Sequence, residues 1–310
     1  MPKVSVIGVG DVGATVAFTL QISGLATEIV LVDVNRERAE GNAMDMNHGL
    51  FFTPPVSIRA GEYPDCAHSD LIVITAGARQ RRDESRLELT RRNADLCASI
   101  VRELQPFIGE AKLLVISNPV DVMTRVAMEV ADLPSGRVLG SGTVLDSARF
   151  RYELSCWCRV DPRNVHAYVI GEHGDSEVFL WSHVNIGAIP LDAFCRGTGR
   201  ECLPEDRKGI EERVRRSAYH IIEAKGYTNH GVSLAVLRII EAILRNELSL
   251  LTVSTRLRGE YGLKDICLSV PCLVGSGGIE RVIETAMAED EREGLAKSAA
   301  ALRSALLAIT

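Results

Sequence analysis

The sequence predicts an α/β fold, in which a doubly wound parallel sheet with helices on both faces is followed by a mixed α+β region. Two observations support the parallel sheet. Residues 3–7, 28–32 and 70–75 are apolar strands, and helical patterns separate them. The strand at 70–75 is continuously apolar, as is typical of strands buried on both faces of a parallel sheet. Alternating strands and helices of this kind form an open sheet that binds ligands beyond the carboxyl ends of its strands.

Composition limits the class of protein. The chain has 310 residues, of which 46% are hydrophobic, so it has enough apolar material for about two domains. Its net charge of -6 comes from interspersed charges of both signs, and the one contiguous basic run is at residues 79–82. This pattern favours neither a nucleic-acid-binding surface nor a membrane-binding surface. The opening apolar stretch, residues 4–7, is too short for a signal-peptide core, so we expect a cytoplasmic protein.

The eight cysteines contain no Cys-x-x-Cys pair. They are scattered among predicted helices and strands, which favours reduced and mostly buried thiols over a disulfide framework or a zinc site. We expect no bound metal.

A glycine motif, Gly-x-Gly-x-x-Gly, occupies residues 8–13 between the first strand and a helix. Gly8 allows a tight turn, Gly10 allows the backbone to approach a pyrophosphate, and Gly13 allows the helix to pack closely on the strand. Asp33 ends the next strand twenty residues later, where it can accept hydrogen bonds from ribose hydroxyls and would repel a 2′-phosphate. The motif therefore predicts a Rossmann-type site that prefers NAD to NADP.

Further strand ends supply polar groups at the same edge of the sheet. The strand at 70–75 runs into Ala76 and Gly77, and the strand at 112–117 runs into Asn118. The composition changes after residue 142, so we expect an NAD-binding domain at residues 1–142 and a substrate-binding α+β domain at 143–310.

One histidine stands out in the second half. His173 follows an alternating, strand-like segment at 165–170 and lies between glycines and acids. Asp146 and Arg149 are one helical turn apart, so they share a helix face. Asp146 can orient a histidine and raise its pKa, while Arg149 can bind a carboxylate. The alternatives are an ordinary hydrogen-bonded histidine, a helix N-cap at Asp146 and a solvated Arg149.

An arginine-rich loop at residues 78–86 follows a strand end beside the expected cofactor crevice. Most of its charges are typical of a solvated loop. A loop at this place can also close as a lid, and an arginine on it would polarise a carbonyl once water is excluded. Arg86, at the junction with the next helix, is our candidate.

Seven sequence blocks, in order along nearly the whole chain, resemble the L-lactate/L-malate dehydrogenase family. They are Gly8-Val9-Gly10-Asp11-Val12-Gly13, Thr75-Ala76-Gly77-Ala78-Arg79-Gln80, Glu84-Ser85-Arg86-Leu87, Ser117-Asn118-Pro119-Val120-Asp121, Asp146-Ser147-Ala148-Arg149-Phe150-Arg151, Gly171-Glu172-His173-Gly174-Asp175-Ser176-Glu177 and Lys225-Gly226-Tyr227-Thr228. Each block is moderately specific alone, whereas seven in the family's order are strong evidence.

The resemblance implies NAD-dependent interconversion of a 2-oxo acid and a 2-hydroxy acid. It makes His173 the proton donor and acceptor, Asp146 its orienting partner, Arg149 the ligand of the substrate carboxylate and Arg86 the group that polarises the carbonyl. The further substrate candidates are Gln80, Asn118, Asp121 and Thr228. The cofactor candidates are Gly8, Gly10, Val12, Gly13, Asp33, Gly77, Ala78 and Asn118, with Arg38, Tyr63, Ser99 and Ser141 as weaker ones.

Gln80 bears on the choice of substrate. In malate dehydrogenases of the family the matching position is usually arginine, which pairs with a second carboxylate, whereas neutral glutamine suits the methyl end of pyruvate. Burial of an unpaired carboxylate against glutamine is unfavourable, so we expect pyruvate and L-lactate as substrates. The rivals are a malate or broader 2-hydroxyacid dehydrogenase and a non-catalytic dinucleotide-binding protein. The loop is unusual at residues 81–83, and a one-residue shift in register would let Arg81 serve a dicarboxylate.

Two further positions match an effector site. Arg151 and His166 correspond to residues that bind fructose 1,6-bisphosphate at a subunit interface in allosteric bacterial members, although both types also occur in members without that control. The resemblance also implies a homo-oligomer, commonly a tetramer. His230 occupies a position where the family more often has an aromatic residue.

Overall fold

The computed structural model describes residues 2–78 and 84–309. Its first half alternates strands and helices. These are β1 Lys3–Ile7, α1 Asp11–Ser23, β2 Glu28–Val32, α2 Arg36–His48, β3 Ser57–Ala60, β4 Leu71–Ile74, α3 Arg86–Ile108, β5 Lys112–Val115, α4 Val120–Ala131 and β6 Val138–Gly140.

The second half has longer helices and several short strands. These are α5 Val144–Cys158, β7 Val165–His166, β8 Val169–Ile170, β9 Val178–Phe179, β10 Asn185–Ile186, β11 Ile189–Pro190, α6 Leu191–Gly197, α7 Pro204–Lys225, α8 His230–Leu244, β12 Ser249–Arg258, β13 Lys264–Gly275, β14 Gly278–Val282 and α9 Glu289–Ile309.

A nine-stranded sheet forms the centre of the fold. Its first six strands are parallel in the order β3-β2-β1-β4-β5-β6, and the antiparallel strands β12, β13 and β14 extend it beyond β6. The strand order reverses between β1 and β4, which places a ligand crevice outside their carboxyl ends. This arrangement confirms the predicted doubly wound α/β fold with an α+β region after it.

Burial explains why the strands are so apolar. Every residue of β4 is buried, and the four C-terminal residues of β2 are buried too. A separate apolar cluster lies under α5, where Phe150 packs edge-to-face on Phe179 and Trp181 at centroid distances of 5.0 and 4.9 Å. The cluster anchors the helix that carries Asp146 and Arg149.

The expected strand at residues 165–170 is two strands. β7 pairs with β10, whereas β8 pairs with β9, and Ala167 and Tyr168 lie between them. The chain changes pairing partner here, so the alternation of apolar residues continues without one continuous ladder. Of the helices in the described part of the chain, none is long and apolar enough to cross a membrane.

Candidate active site

The glycine motif forms a tight turn from β1 into α1. Gly8 has a φ of +90°, and a Cβ there would lie 2.6 Å from the Ala76 nitrogen. A Cβ on Gly13 would lie 1.9 Å from the Gly8 carbonyl oxygen and 2.5 Å from Thr75 Oγ1, whereas a Cβ on Gly10 would meet no protein atom within 4 Å. Gly8 and Gly13 are therefore required by packing, while Gly10 leaves an open approach to the backbone.

The open approach lies at the N-terminus of α1. Gly10 is the N-cap residue of this helix, and no side chain within the described residues caps it. The first backbone N–H groups of a helix without a side-chain cap, together with its dipole, suit a phosphate. Asp33 joins this turn, because its Oδ2 accepts a 2.6 Å hydrogen bond from the Val9 nitrogen. The residues present thus fit a dinucleotide.

The weaker cofactor candidates lie on different elements of the fold. Arg38 lies 3.6 Å from the carboxylate of Asp11 at the start of α1, and Tyr63 is partly buried against the core, where burial raises its pKa. Ser141 follows β6, and its nitrogen donates to the Val115 carbonyl of β5. Ser99 is an exposed residue within α3.

Asn93 holds two strand ends together. Its Oδ1 accepts a 2.7 Å hydrogen bond from the Ala78 nitrogen, and its Nδ2 donates to the Asn118 carbonyl at 3.2 Å. The Asn118 side chain belongs to an exposed residue beside Pro119. Sequence reasoning missed Asn93. The available signal was its spacing of four residues from Leu89 on the helix face that turns out to be buried.

His173 and Asp146 form a close pair. The Nδ1 atom of His173 lies 2.5 Å from Asp146 Oδ2, and Arg149 Nη1 donates a 2.9 Å hydrogen bond to the other oxygen. The Asp146 side chain is only 4% exposed, while the side chains of His173 and Arg149 remain 24% and 16% exposed. The carboxylate is therefore buried, and the histidine and the arginine both keep access to a ligand.

The charges of this cluster fix its protonation. Burial lowers the pKa of His173, but the carboxylate of Asp146 outweighs burial and raises that pKa to about 9. Burial likewise raises the pKa of Asp146, yet His173 and then Arg149 hold it below its ordinary value. At neutral pH the pair is an imidazolium and a carboxylate, which makes His173 a proton donor whose Nδ1 is already engaged.

Asp121 binds the backbone of His173. Its Oδ2 accepts a 2.8 Å hydrogen bond from the His173 backbone nitrogen, and its Oδ1 accepts a 2.6 Å bond from Ser254 Oγ. Asp121 is 2% exposed, and burial raises its pKa to about 6. Each carboxylate oxygen is thus engaged by the protein, and the expected contact of Asp121 with substrate stays a prediction.

Arg86 reaches the segment that carries His173. Its Nη1 lies 3.4 Å from Asp175 Oδ2, and Tyr219 of α7 donates a 3.2 Å hydrogen bond to the other oxygen of Asp175. The Arg86 side chain is 80% exposed, so its guanidinium is free to move. Gln80 and the unusual loop residues 81–83 lie outside the described residues.

Thr228 is half-buried in the connection between α7 and α8. The next residue, Asn229, donates a 2.9 Å hydrogen bond to Thr15 of α1, so this connection lies against the helix that follows the glycine turn. Thr228 is thereby brought towards the crevice, and His230 is the exposed first residue of α8.

The two effector candidates lie on successive elements, Arg151 on α5 and His166 on β7. Arg151 donates a 2.9 Å hydrogen bond from Nε to the Ala167 carbonyl, and its guanidinium lies 4.8 Å from the ring centroid of Tyr168. His166 is exposed on β7.

Two family models match the chain. The lactate/malate dehydrogenase NAD binding domain matches residues 2–140, and the lactate/malate dehydrogenase alpha/beta C-terminal domain matches residues 143–309. An L-lactate dehydrogenase of Thermoanaerobacter sp. (strain X514) is 49% identical over 306 residues, which are 99% of this chain and 98% of the relative. An L-lactate dehydrogenase of Acetivibrio thermocellus is 50% identical over 302 residues, 97% of this chain and 95% of the relative.

Two solved structures are also similar to the chain. A lactate dehydrogenase from a Medee basin deep-sea metagenome library superposes with a TM-score of 0.97 at 40% identity, over 99% of this chain and 98% of that one. The minor L-lactate dehydrogenase of Enterococcus mundtii, in a ligand-bound form, gives 0.96 at 37% identity, over 100% of this chain and 98% of that one. With matching models over both halves and relatives near 50% identity, the chain belongs to the lactate/malate dehydrogenase family.

Proposed function

We propose that the protein is an NAD-dependent L-lactate dehydrogenase, which reversibly reduces pyruvate to L-lactate. The observation that carries this proposal is the arrangement of Asp146, Arg149 and His173. It places a protonated histidine and a partly exposed arginine on one buried carboxylate. The names of the similar proteins support the same reaction.

The glycine turn and Asp33 are proposed to hold the cofactor. The N-terminus of α1 would bind the pyrophosphate at Gly10, and Asp33 would accept from the ribose. Bound NADH supplies the hydride that the substrate C2 accepts. Val12, Gly77, Ala78 and Asn118, with Arg38, Tyr63, Ser99 and Ser141 more weakly, are the remaining proposed contacts.

The catalytic residues are proposed to act on charge and on one proton. Arg149 binds the substrate carboxylate with the guanidinium N–H groups that Asp146 leaves free. His173 donates a proton from Nε2 to the carbonyl oxygen, because Asp146 already holds Nδ1, and in lactate oxidation the neutral imidazole takes the proton back. Arg86 stabilises the developing alkoxide after it leaves Asp175.

Substrate choice is proposed to depend on Gln80, with Thr228 and Asn118 completing the pocket. A neutral amide offers no partner to the second carboxylate of oxaloacetate, so that substrate is disfavoured. The test is to compare kcat/KM for pyruvate and oxaloacetate. A preference for pyruvate is expected, whereas a preference for oxaloacetate would make the protein a malate dehydrogenase. If no 2-oxo acid is reduced, the protein is a dinucleotide binder without this chemistry.

Further proposals concern the domain boundary, the cellular location and the oligomeric assembly. Residues 1–142 would be the NAD-binding domain and 143–310 the catalytic domain, although the central sheet contains strands from both. The eight cysteines are all free, as is usual for a cytoplasmic protein. We propose a homotetramer in which Arg151 and His166 bind fructose 1,6-bisphosphate. Sedimentation with and without fructose 1,6-bisphosphate tests the tetramer, and the pyruvate assay with and without that ligand tests its effect on activity.

A further inference from the structure

Glu177 is a buried acid four residues beyond His173. Its side chain is 3% exposed. Its Oε1 has no hydrogen-bond partner among residues 2–78 and 84–309, and Arg215 Nε, which lies 4.0 Å away, is also buried and without a hydrogen bond. A separation of 4.0 Å is too long for a hydrogen bond, so Oε1 lacks the donor that a buried carboxylate oxygen needs.

Arg215 is directed to other acceptors. Its Nη1 donates a 3.0 Å hydrogen bond to Glu211 Oε2, its Nη2 donates a 3.1 Å bond to the backbone carbonyl of Glu177, and its guanidinium lies 4.7 Å from the ring centroid of Phe179. Glu211 in turn accepts from Trp181 Nε1 at 2.7 Å. These contacts fix the guanidinium in a position where it donates to Glu211 and to a carbonyl oxygen, and leave Glu177 Oε1 without a hydrogen bond from Arg215.

The charged groups around Glu177 come from several elements. They are Asp146 and Arg149 of α5, His173 of its own segment and Arg215 of α7, which also binds Glu211. Glu291 of α9 accepts from Ser182, beyond β9. Burial is the largest influence and the negative charge of Asp146 the second. Together they outweigh Arg215, His173 and Arg149 and raise the pKa of Glu177 to about 8.

We infer that Glu177 is a positioning residue that stays uncharged so that the site remains cationic, and that its ionisation in alkaline solution weakens binding of the anionic substrate. With Glu177 neutral, the charges of Asp121, Asp146, Arg149, His173 and an Arg86 that has left Asp175 sum to +1 and match a monocarboxylate. With Glu177 ionised, the sum is zero. This inference rests on the proposed function.

Linkage makes the effect measurable. An anionic substrate and an ionised Glu177 oppose each other, so substrate binding above the pKa of Glu177 must take up a proton. If pyruvate binds only when Glu177 is neutral and His173 is protonated, a pKa of about 8 raises KM about tenfold between pH 7 and pH 9, and partial loss of the His173 proton adds about twofold.

The first test measures KM for pyruvate and kcat at pH 7 and pH 9. The KM of wild type is expected to rise about twentyfold from pH 7 to pH 9. The side chain in the Glu177→Gln variant is always neutral, so its KM should equal that of wild type at pH 7 and rise only about twofold by pH 9. Glu212→Gln is the matched control, because this 57% exposed α7 residue pairs with Arg216 at 3.4 Å, and it should behave as wild type. Equal KM rises in wild type and Glu177→Gln would overturn the inference.

A second test needs no variant. At pH 8.5, wild-type protein saturated with NADH is titrated with oxamate, an analogue of pyruvate that is not reduced. The heat of binding is measured in buffers of different ionisation enthalpy, and its dependence on the buffer gives the number of protons taken up. Uptake of about one proton is expected, whereas about a quarter of a proton, which His173 alone would take up, would overturn the inference. Failure of the proposed function would instead appear as neither pyruvate reduction nor oxamate binding by wild type.

Discussion

Replacement of Asp146 by asparagine should move the pH limit of pyruvate reduction. The substitution keeps the size of the side chain and removes its charge, which is the attraction that raises the pKa of His173 to about 9 from an ordinary value of 6.5. Without it, burial and Arg149 lower the pKa of His173 against the smaller raising effect of Asp121, and we expect this pKa to return to about its ordinary value of 6.5. The change of about 2.5 pH units corresponds to about 3 kcal/mol of stabilisation of the imidazolium.

The rate should follow the protonated fraction of His173. At pH 7.5 this fraction falls from nearly complete to about one tenth, so kcat/KM for pyruvate should fall at least about tenfold from protonation alone. At pH 5.5 most of that loss should be recovered, because the histidine is protonated again. Arg149 loses its 2.9 Å ion pair in the variant. Weaker substrate binding by Arg149 would lower kcat/KM at every pH and would not shift the pH above which kcat/KM falls.

The assay is the initial rate of NADH oxidation with pyruvate between pH 5.5 and pH 10. NADH binding, measured by fluorescence, serves as the control for an intact cofactor site. An Asp146→Asn variant that binds NADH and loses pyruvate reduction over the same alkaline pH range as wild type would refute the assignment of Asp146 as the group that charges His173.

Two other predictions concern the glycine turn and the support of His173. Gly13→Ala should lower the free energy of unfolding by about 1–3 kcal/mol, because its Cβ would lie 1.9 Å from the Gly8 oxygen. Gly10→Ala should leave the melting temperature unchanged and raise the Kd for NADH at least about tenfold. The opposite pattern would contradict the proposed pyrophosphate site. Asp121 has a folded pKa of about 6 against an ordinary 3.8, so its contribution to stability is complete below pH 3.8 and is lost as the pH rises through 6, by about 3 kcal/mol. Urea unfolding at pH 4.5 and pH 7 should show about 2 kcal/mol of that loss in wild type and not in Asp121→Asn. Equal pH dependence in both would show that Asp121 does not titrate in this range.

Local patterns made the cofactor half of the fold predictable. The glycine spacing at residues 8–13 and the acid at Asp33 belong to one strand-turn-helix-strand unit, in which each element is specified by its own residues. The apolar strand at residues 70–75 was recognisable for the same reason, since strands buried on both faces need no partner-specific pattern.

Long-range contacts were not predictable in the same way. Asp121 binds the backbone of a residue 52 positions away, and nothing in its own segment indicates that partner. Glu177 depends on burial and on the geometry of Arg215, 38 positions later, which sequence spacing does not specify. The strand at residues 165–170 was predicted as one piece because alternation records which face is buried and does not record which strand is the partner.

The rate of pyruvate reduction by His173→Asn, compared with wild type at saturating NADH, tests the central claim most directly. NADH binding should persist, because His173 is no part of the glycine turn. The proposed role as proton donor predicts a fall in kcat of about 10² to 10⁴. A folded variant that binds NADH and retains kcat within about tenfold of wild type would contradict it.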